Sequence, residues 1–222
     1  MTLKKIWHKI YIDPRRRRKM FKWGLPMMDA IDKAMKDNGV PYTLVYGTLL
    51  GAVREKGFIK HDCDVDMALW ADEDYSKAFA QLEAMGFTRK RSITVDDGRL
   101  GHEETFKYHS ASVDFFFFYP DGEEKYYGTS FQNQDGCSNW KESIAKAGGL
   151  RVYKLPLPMS KETEDTAFED RTYQITKDAM NFIVAHYGPG WKVPDPTFVY
   201  PRKGENEYIE MPGKIAIIKN WK

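Results

Sequence analysis

Residues 45–70 read VYGTLLGAVREKGFIKHDCDVDMALW, and this stretch decides the fold. A strand enters a turn at Gly47 and Thr48, and a short apolar helix follows over 48–55. Residues 64–70 then favour a second strand. A glycine lets the backbone approach a phosphate closely, and the N-terminal amides of a helix favour anions. The order strand, turn, helix, strand therefore predicts a phosphate-binding turn beside a strand.

Aspartate recurs at every second position of the same stretch, at Asp62, Asp64 and Asp66. Residues two apart share one face of a strand, so the three carboxylates are expected to project together. This concentration of like charge is costly unless a cation lies nearby, and carboxylate oxygens suit Mg²⁺ or Mn²⁺. Because Mg²⁺ is usually held by one or two carboxylates plus substrate phosphates, the pattern indicates phosphoryl chemistry.

A single charge interrupts the apolar strand expected at 111–119, which reads ASVDFFFFY. Its four consecutive phenylalanines are typical of a strand that is buried on both faces. A buried carboxylate is costly unless it is paired or bound to a metal, so Asp114 is a candidate functional residue. The alternative is a structural salt bridge from Asp114 to a neighbouring lysine or arginine.

The rest of the chain alternates helical and strand patterns. Apolar spacing predicts helices near 25–35, 75–85 and 179–187, and it predicts strands at 87–95, 103–109, 124–131 and 167–176. The residues between 132 and 158 read as loop-rich. We therefore expect an α+β fold with a mixed β-sheet flanked by helices.

Length and composition fit a soluble protein with one main domain. The 222 residues are enough for a substantial core, and 42% hydrophobic with 30% charged residues is typical of soluble globular chains. The net charge of +2 is too small to indicate a nucleic-acid partner. Cys63 and Cys137 make neither a zinc motif nor a disulfide framework. With no membrane-length apolar run and no signal-peptide pattern, we expect a cytoplasmic location.

Three segments are expected along the chain. Residues 1–22 form a basic amphipathic segment, in which apolar residues recur among lysines and arginines. Residues 1–19 either contact an anionic membrane surface or form an arm that is solvated or docks on its own domain. Residues 23–200 are expected to form the catalytic domain, and residues 201–222 a C-terminal extension that packs on it.

Two longer motifs carry a resemblance to a known family. The first is Tyr46-Gly-Thr-Leu-Leu-Gly-Ala-Val-Arg54, followed by Gly57-Phe-Ile and Asp62-Cys-Asp-Val-Asp66. The second is Tyr187-Gly-Pro-Gly-Trp-Lys-Val-Pro near the carboxyl end. Together they resemble the LicD/fukutin family of phosphotransferases, within the polymerase-β-type nucleotidyltransferase superfamily, over about residues 25–196. Many members carry three consecutive aspartates where this chain has Asp62-Cys-Asp64.

The resemblance implies a metal-dependent phosphotransferase with a nucleotidyltransferase-like sheet. Such an enzyme moves a phosphorylated alcohol (phosphocholine, glycerol phosphate or ribitol phosphate) from a CDP-activated donor to a hydroxyl of a glycan or lipid-linked saccharide. The implied catalytic residues, which also hold Mg²⁺ or Mn²⁺, are Asp64, Asp66 and Asp114. Asp114 would also serve as general base for the acceptor hydroxyl. The implied donor-binding residues are Gly47, Thr48, Arg54 and Lys107.

Two other interpretations stay open at this point. A nucleotidyltransferase that attaches a nucleoside monophosphate to a small-molecule acceptor would share the metal site. A non-catalytic glycan- or membrane-binding protein is the third interpretation, and the three intact carboxylates argue against it. Arg54 and Lys107 fit surface ion pairs as well as donor contacts.

Overall fold

The structure is a computed structural model that describes residues 13–60, 62–122, 125–195 and 208–221. Its helices are α1 (Asp13–Asp37), α2 (Tyr46–Arg54), α3 (Ser76–Ala84), α4 (Trp140–Ala147) and α5 (Ala179–Tyr187). Its strands are β1 (Thr43–Leu44), β2 (Val65–Trp70), β3 (Phe87–Val95), β4 (Gly101–Tyr108), β5 (Ala111–Pro120), β6 (Lys125–Gln132), β7 (Leu150–Pro158), β8 (Thr163–Phe168), β9 (Arg171–Thr176) and β10 (Ile209–Asn220).

The main sheet has eight strands in the order β1-β2-β5-β4-β3-β10-β7-β6. It is mixed, because β2 and β5 run parallel while the other neighbours run antiparallel. β5 also pairs with β6, so the strands from β5 round to β6 close into a ring of six. β8 and β9 form a separate two-stranded sheet. The expected α+β architecture, a mixed sheet flanked by helices, is confirmed.

The phenylalanine-rich strand β5 is covered on both faces, as its sequence predicts. On one face, Phe115 and Phe117 meet Phe79 of α3, with ring centroids 5.3 Å and 6.4 Å apart. On the other face, Phe116 meets Tyr46 edge-on at 4.9 Å. Burying one such side chain contributes about 1.5–3 kcal/mol, so β5 anchors the core from within the sheet.

Helix α1 begins earlier than its apolar spacing indicates. It starts at Asp13, runs across the boundary placed between residues 22 and 23, and buries Met20 at 1% exposure. Residues 1–12 lie outside the described residues, so both interpretations of the basic segment stay predictions. Among the described residues, no helix combines the length and apolar character that a membrane span requires.

The region expected to be loop-rich contains a helix and a strand. Helix α4 carries both of its end signals: the Asn139 side chain accepts a hydrogen bond from the Glu142 backbone N–H, and Gly148 ends the helix at φ 77°. β7 follows, and its side chains are alternately buried and partly exposed. Pro156 and Pro158 obscured this strand in the sequence, because proline is unfavourable within a sheet. The loop prediction for this region is therefore wrong.

The C-terminal residues contribute to the sheet itself. Residues 209–220, which we expected to lie in an extension packed on the domain, form β10. This strand lies between β3 and β7, with Ala216 opposite both Val95 and Leu150. The ring of six strands is thus completed by residues distant in sequence from their partners.

Candidate functional site

Two parallel strands bring the candidate carboxylates to one place. β2 and β5 are hydrogen-bonded neighbours, and their register sets Asp66 directly opposite Asp114. Side chains at paired positions of neighbouring strands point to the same face, with the strands about 4.8 Å apart. The pair therefore forms the centre of a single acidic site.

The first turn of α2, which contains Gly47 and Thr48, holds Asp66 from one side. Thr48 is buried, and its Oγ1 accepts a hydrogen bond from the Asp66 backbone N–H at 2.9 Å. The Gly47 backbone N–H donates to the Asp66 carboxylate and partly lowers its pKa. Tyr46, the first residue of α2, has a φ of 46°, a left-handed conformation that is strained for a bulky residue. Both expected donor-binding residues of the turn thus position Asp66, and donor contact by them stays a prediction.

Four neighbouring carboxylates affect one another at this site. Burial, then Asp64, Asp114 and Asp62, raises the pKa of Asp66 well above its ordinary range. Burial, then Asp64, raises the pKa of Asp62 to about 7, while the nearby Arg54 guanidinium opposes the shift. Each ionised carboxylate therefore makes ionisation of the next one harder.

Asp114 is held from the other side by β3 and β4. Thr105 Oγ1 donates a hydrogen bond to Asp114 Oδ1 at 2.5 Å. Arg91 Nη2 lies 3.8 Å from the same oxygen but only 2.6 Å from Glu103 Oε1. Burial raises the pKa of Asp114, and Thr105 and Arg91 offset part of the rise. Arg91 is thus the arginine that a structural salt bridge to Asp114 would use, but its shorter contact is with Glu103.

Glu103 and Arg91 are site residues that the sequence reasoning missed. Glu103 is 8% exposed, and burial, then Asp114, raises its pKa to about 7. The register of β3 shifts between Arg89 and Arg91, which face adjacent residues of β4 and therefore lie on opposite faces of the sheet. Glu103 lies two residues from Thr105 on β4, so strand periodicity alone places it on the face that carries Asp114. The sequence therefore contained a usable signal for Glu103. The bulge that aims Arg91 at the site leaves no local signal in the sequence.

The two expected donor-binding cations stand in different relations to the carboxylates. Arg54 is close enough to Asp62 to lower its pKa, and it also pairs with Glu55 at 2.9 Å. Lys107 is exposed on β4, opposite Ser112, on the strand face that also carries Asp114. Arg54 thus acts on a site carboxylate, whereas Lys107 only shares a strand face with Asp114, and the role of both as donor contacts stays a prediction.

The resemblance implies that the carboxylates of this site hold a divalent metal ion. As the side chains stand, the described ranges contain no group of three or more His, Cys, Asp or Glu side chains arranged to hold a metal ion. The charges of the site nevertheless favour a cation, because burial first, and then repulsion from Asp64, Asp114 and Asp62, raise the pKa of Asp66. A divalent cation among these oxygens would offset that repulsion, and hard carboxylate ligands suit Mg²⁺ or Mn²⁺. The donor set therefore fits the metal in chemistry and charge.

Known proteins match this region of the chain. Residues 39–148 match the sequence model of the LicD/FKTN/FKRP nucleotidyltransferase domain, a range that includes Gly47, Asp66 and Asp114. The chain belongs to the LicD/fukutin family. The family prediction made from the two motifs is thus confirmed.

Individual LicD/fukutin relatives extend the match beyond that domain. The ribitol-5-phosphate transferases FKTN of Mus musculus and Homo sapiens are each 26% identical to this chain over 190 residues. These alignments cover 85% of this chain but 37% of each relative, so the chain spans little more than a third of their length.

Proposed function

We propose that this chain is a metal-dependent phosphotransferase that moves a phosphorylated alcohol from a CDP-activated donor to a glycan hydroxyl. Ribitol phosphate is the first candidate for the transferred group, since the LicD/fukutin relatives are ribitol-5-phosphate transferases. Glycerol phosphate and phosphocholine are the other two. The observation that carries the proposal is the in-register pair of Asp66 and Asp114 beside the Gly47–Thr48 turn.

In this proposal, Asp64, Asp66 and Asp114 hold Mg²⁺ or Mn²⁺. The bound metal would neutralise charge on the transferring phosphoryl group and on the leaving oxygen. β2, α2 and the main sheet would form a nucleotidyltransferase-like arrangement around it. Gly47, Thr48, Arg54 and Lys107 are proposed to bind the donor, with the two cations making charge-assisted contacts to phosphate.

The reaction would proceed by attack of an acceptor oxygen on the phosphorus that bears the alcohol. The bond from that phosphorus to the bridging oxygen breaks, and CMP leaves. Asp114 is proposed to accept the proton of the acceptor hydroxyl. Burial raises the pKa of Asp114, and a higher pKa makes its carboxylate a better proton acceptor at neutral pH.

A product assay tests this proposal directly. The protein is incubated with Mg²⁺, a mixture of soluble oligosaccharides and, separately, CDP-ribitol, CDP-glycerol, CDP-choline and ATP. We expect CMP from at least one CDP-alcohol, and we expect none of it from Asp66→Asn. The matched control is Asp97→Asn, an exposed aspartate in the turn between β3 and β4. Pyrophosphate from ATP, without CMP from any CDP-alcohol, would instead identify a nucleotidyltransferase.

The proposed partners and location follow from this activity. The acceptor is proposed to be a cell-surface glycan or its lipid-linked saccharide precursor, assembled on the cytoplasmic side of the membrane. Residues 1–19 are proposed to make reversible contact with anionic lipid there, an attraction that salt screens. Removing residues 1–19 should then abolish sedimentation with anionic vesicles at low salt, and a full chain that ignores such vesicles would exclude this contact.

A further inference from the structure

A cleft lies on the β3 side of the acidic site, with Arg91 between the two. It has a volume of about 520 Å³ and is walled by the chain that joins β6 to α4, by Trp140 at the start of α4 and by Arg151 on β7. Its polar lining includes Asn133, Gln134 and Asp135. Clefts that bind small molecules commonly enclose about 300–1,000 Å³.

A short series of contacts joins this cleft to Asp114. The Trp140 ring, in the cleft wall, lies 5.3 Å from the Arg91 guanidinium. Arg91 in turn lies 3.8 Å from Asp114 Oδ1. One arginine therefore separates the aromatic wall of the cleft from the proposed general base.

The cleft and the phosphate-binding turn lie on opposite sides of Asp114. Gly47 and Thr48 contact Asp66 on β2, which neighbours β5 on one edge. Arg91 and Trp140 approach from β3 and α4, beyond β4 on the other edge. In phosphoryl transfer the attacking and leaving oxygens lie roughly in line across the phosphorus. If the donor binds at Gly47 and Thr48, the attacking hydroxyl is therefore expected to approach from the Arg91 side of Asp114.

The side chains in the cleft suit a saccharide. Arg151 donates to Asp135 and to Glu210, and Tyr153 lies beside it, which fixes a charged pair in the wall. The Asp135 side chain is 89% exposed, so its carboxylate is open to solutes. Amides, a carboxylate and a guanidinium offer hydrogen bonds to several hydroxyls at once, and a tryptophan supplies an apolar face.

We propose that this cleft is the acceptor-saccharide subsite of the enzyme. The proposal rests on the proposed transfer to a glycan, and it assigns the cleft to the sugar and not to the cytidine of the donor. Asp135 and Arg151 would hydrogen-bond the sugar hydroxyls, and Trp140 would pack on the sugar ring. The sugar bound there would direct one hydroxyl past Arg91 toward Asp114.

Binding measurements without donor or metal test the subsite separately from catalysis. The labelled 222-residue chain is applied to a printed glycan array, and the best-binding glycan is then titrated by calorimetry. The test variants are Asp135→Asn, which keeps the size of the side chain, and Trp140→Phe, which keeps an aromatic ring but removes the larger indole face. Their matched controls are Asp97→Asn, another exposed aspartate, and Trp221→Phe, whose ring lies 5.5 Å from Arg89 on the other face of the sheet. CMP is titrated against all five proteins.

We expect the wild-type chain to bind a subset of the printed glycans. Asp135→Asn should weaken that binding about tenfold, the usual effect of losing a charged hydrogen-bond partner. Trp140→Phe should also weaken it, while both controls and all CMP affinities stay unchanged. If no glycan binds, or if the test variants weaken CMP and spare the glycan, the assignment is wrong. CMP release from a CDP-alcohol together with a silent array would overturn the subsite alone, whereas glycan binding without CMP release would overturn the transfer reaction alone.

Discussion

Asp66 and Asp114 stand directly opposite each other on parallel strands, and the Asp114 charge helps to raise the pKa of Asp66. A carboxyl group whose pKa is higher in the folded than in the unfolded state binds its proton more tightly when folded. Its ionised form therefore costs stability at any pH above the ordinary value of 3.8. Near neutral pH this group of carboxylates thus lowers stability, and a divalent cation bound among them would offset the repulsion.

The first prediction follows from this repulsion. In EDTA, Asp66→Asn should melt at a higher temperature than the wild-type chain, because one buried charge is gone. Mg²⁺ at about 100 times its Kd should stabilise the wild type by ~2.7 kcal/mol, a rise of several degrees in Tm, and should have little effect on the variant. Differential scanning fluorimetry with and without Mg²⁺ measures both effects. Asp97→Asn should respond to Mg²⁺ as the wild type does, and an equal response from Asp66→Asn would exclude Asp66 as a ligand.

Turnover gives a second and independent prediction. Asp64→Asn and Asp66→Asn should each lower kcat by ~10³ or more, since several kcal/mol of transition-state stabilisation depends on the metal that they are proposed to hold. EDTA should have the same effect on the wild type, and added Mg²⁺ or Mn²⁺ should reverse it. CMP release from the productive CDP-alcohol is the measurement. Near-full turnover in EDTA would contradict the metal requirement.

Asp114→Asn separates a role in the site from a structural ion pair. Arg91 keeps its 2.6 Å contact with Glu103 when Asp114 loses its charge, so the protein should fold with similar or greater stability. Transfer should nevertheless be lost, because the variant side chain cannot accept the acceptor proton. Urea denaturation and CMP release on the same preparation report the two properties. A variant that is destabilised yet keeps its specific activity would assign Asp114 to the ion pair with Arg91.

Local patterns in the sequence predicted the parts of the site, whereas long-range pairing assembled them. The alternation of Asp62, Asp64 and Asp66, and the lone charge in the phenylalanine run, are visible in single segments because strand periodicity is local. The register that sets Asp66 against Asp114 joins two segments separated by α3, β3 and β4, and no single segment encodes it.

Arg91 and β10 mark where sequence reasoning ended, each for its own physical reason. Arg91 reaches the site because a bulge shifts the register of β3. Arg89 is also an arginine, so the sequence does not indicate which of the two faces the site. β10 pairs with β3 and β7, so its strand character depends on partners far away in the chain. Its irregular pairing between Glu210 and Ile215 further weakens any period-two pattern.

The last prediction concerns pH and His186, a histidine that packs on Tyr46 at the start of α2. His186 is 6% exposed, and its ring packs 4.8 Å from Tyr46 and 6.0 Å from Phe182. Burial lowers the pKa of His186 from 6.5 to about 3, so the folded state favours the neutral ring. Above pH 6.5 the ring is neutral in both states and its burial adds no pH dependence. As the pH falls from 6.5 toward 3, the unfolded chain binds a proton that the folded chain does not, and stability is lost.

His186→Phe should remove this acid-sensitive contribution while keeping an aromatic ring against Tyr46 and Phe182. The free energy of unfolding of the wild type should fall relative to the variant by up to ~1.4 kcal/mol for each pH unit below 6.5. Urea denaturation followed by tryptophan fluorescence at pH 7.5, 6, 5 and 4 gives the two curves. His109→Asn, at an exposed position, is the control and should follow the wild type. If the His186→Phe curve runs parallel to the wild-type curve through this range, the ring is protonated alike in both states and its burial does not govern the acid response.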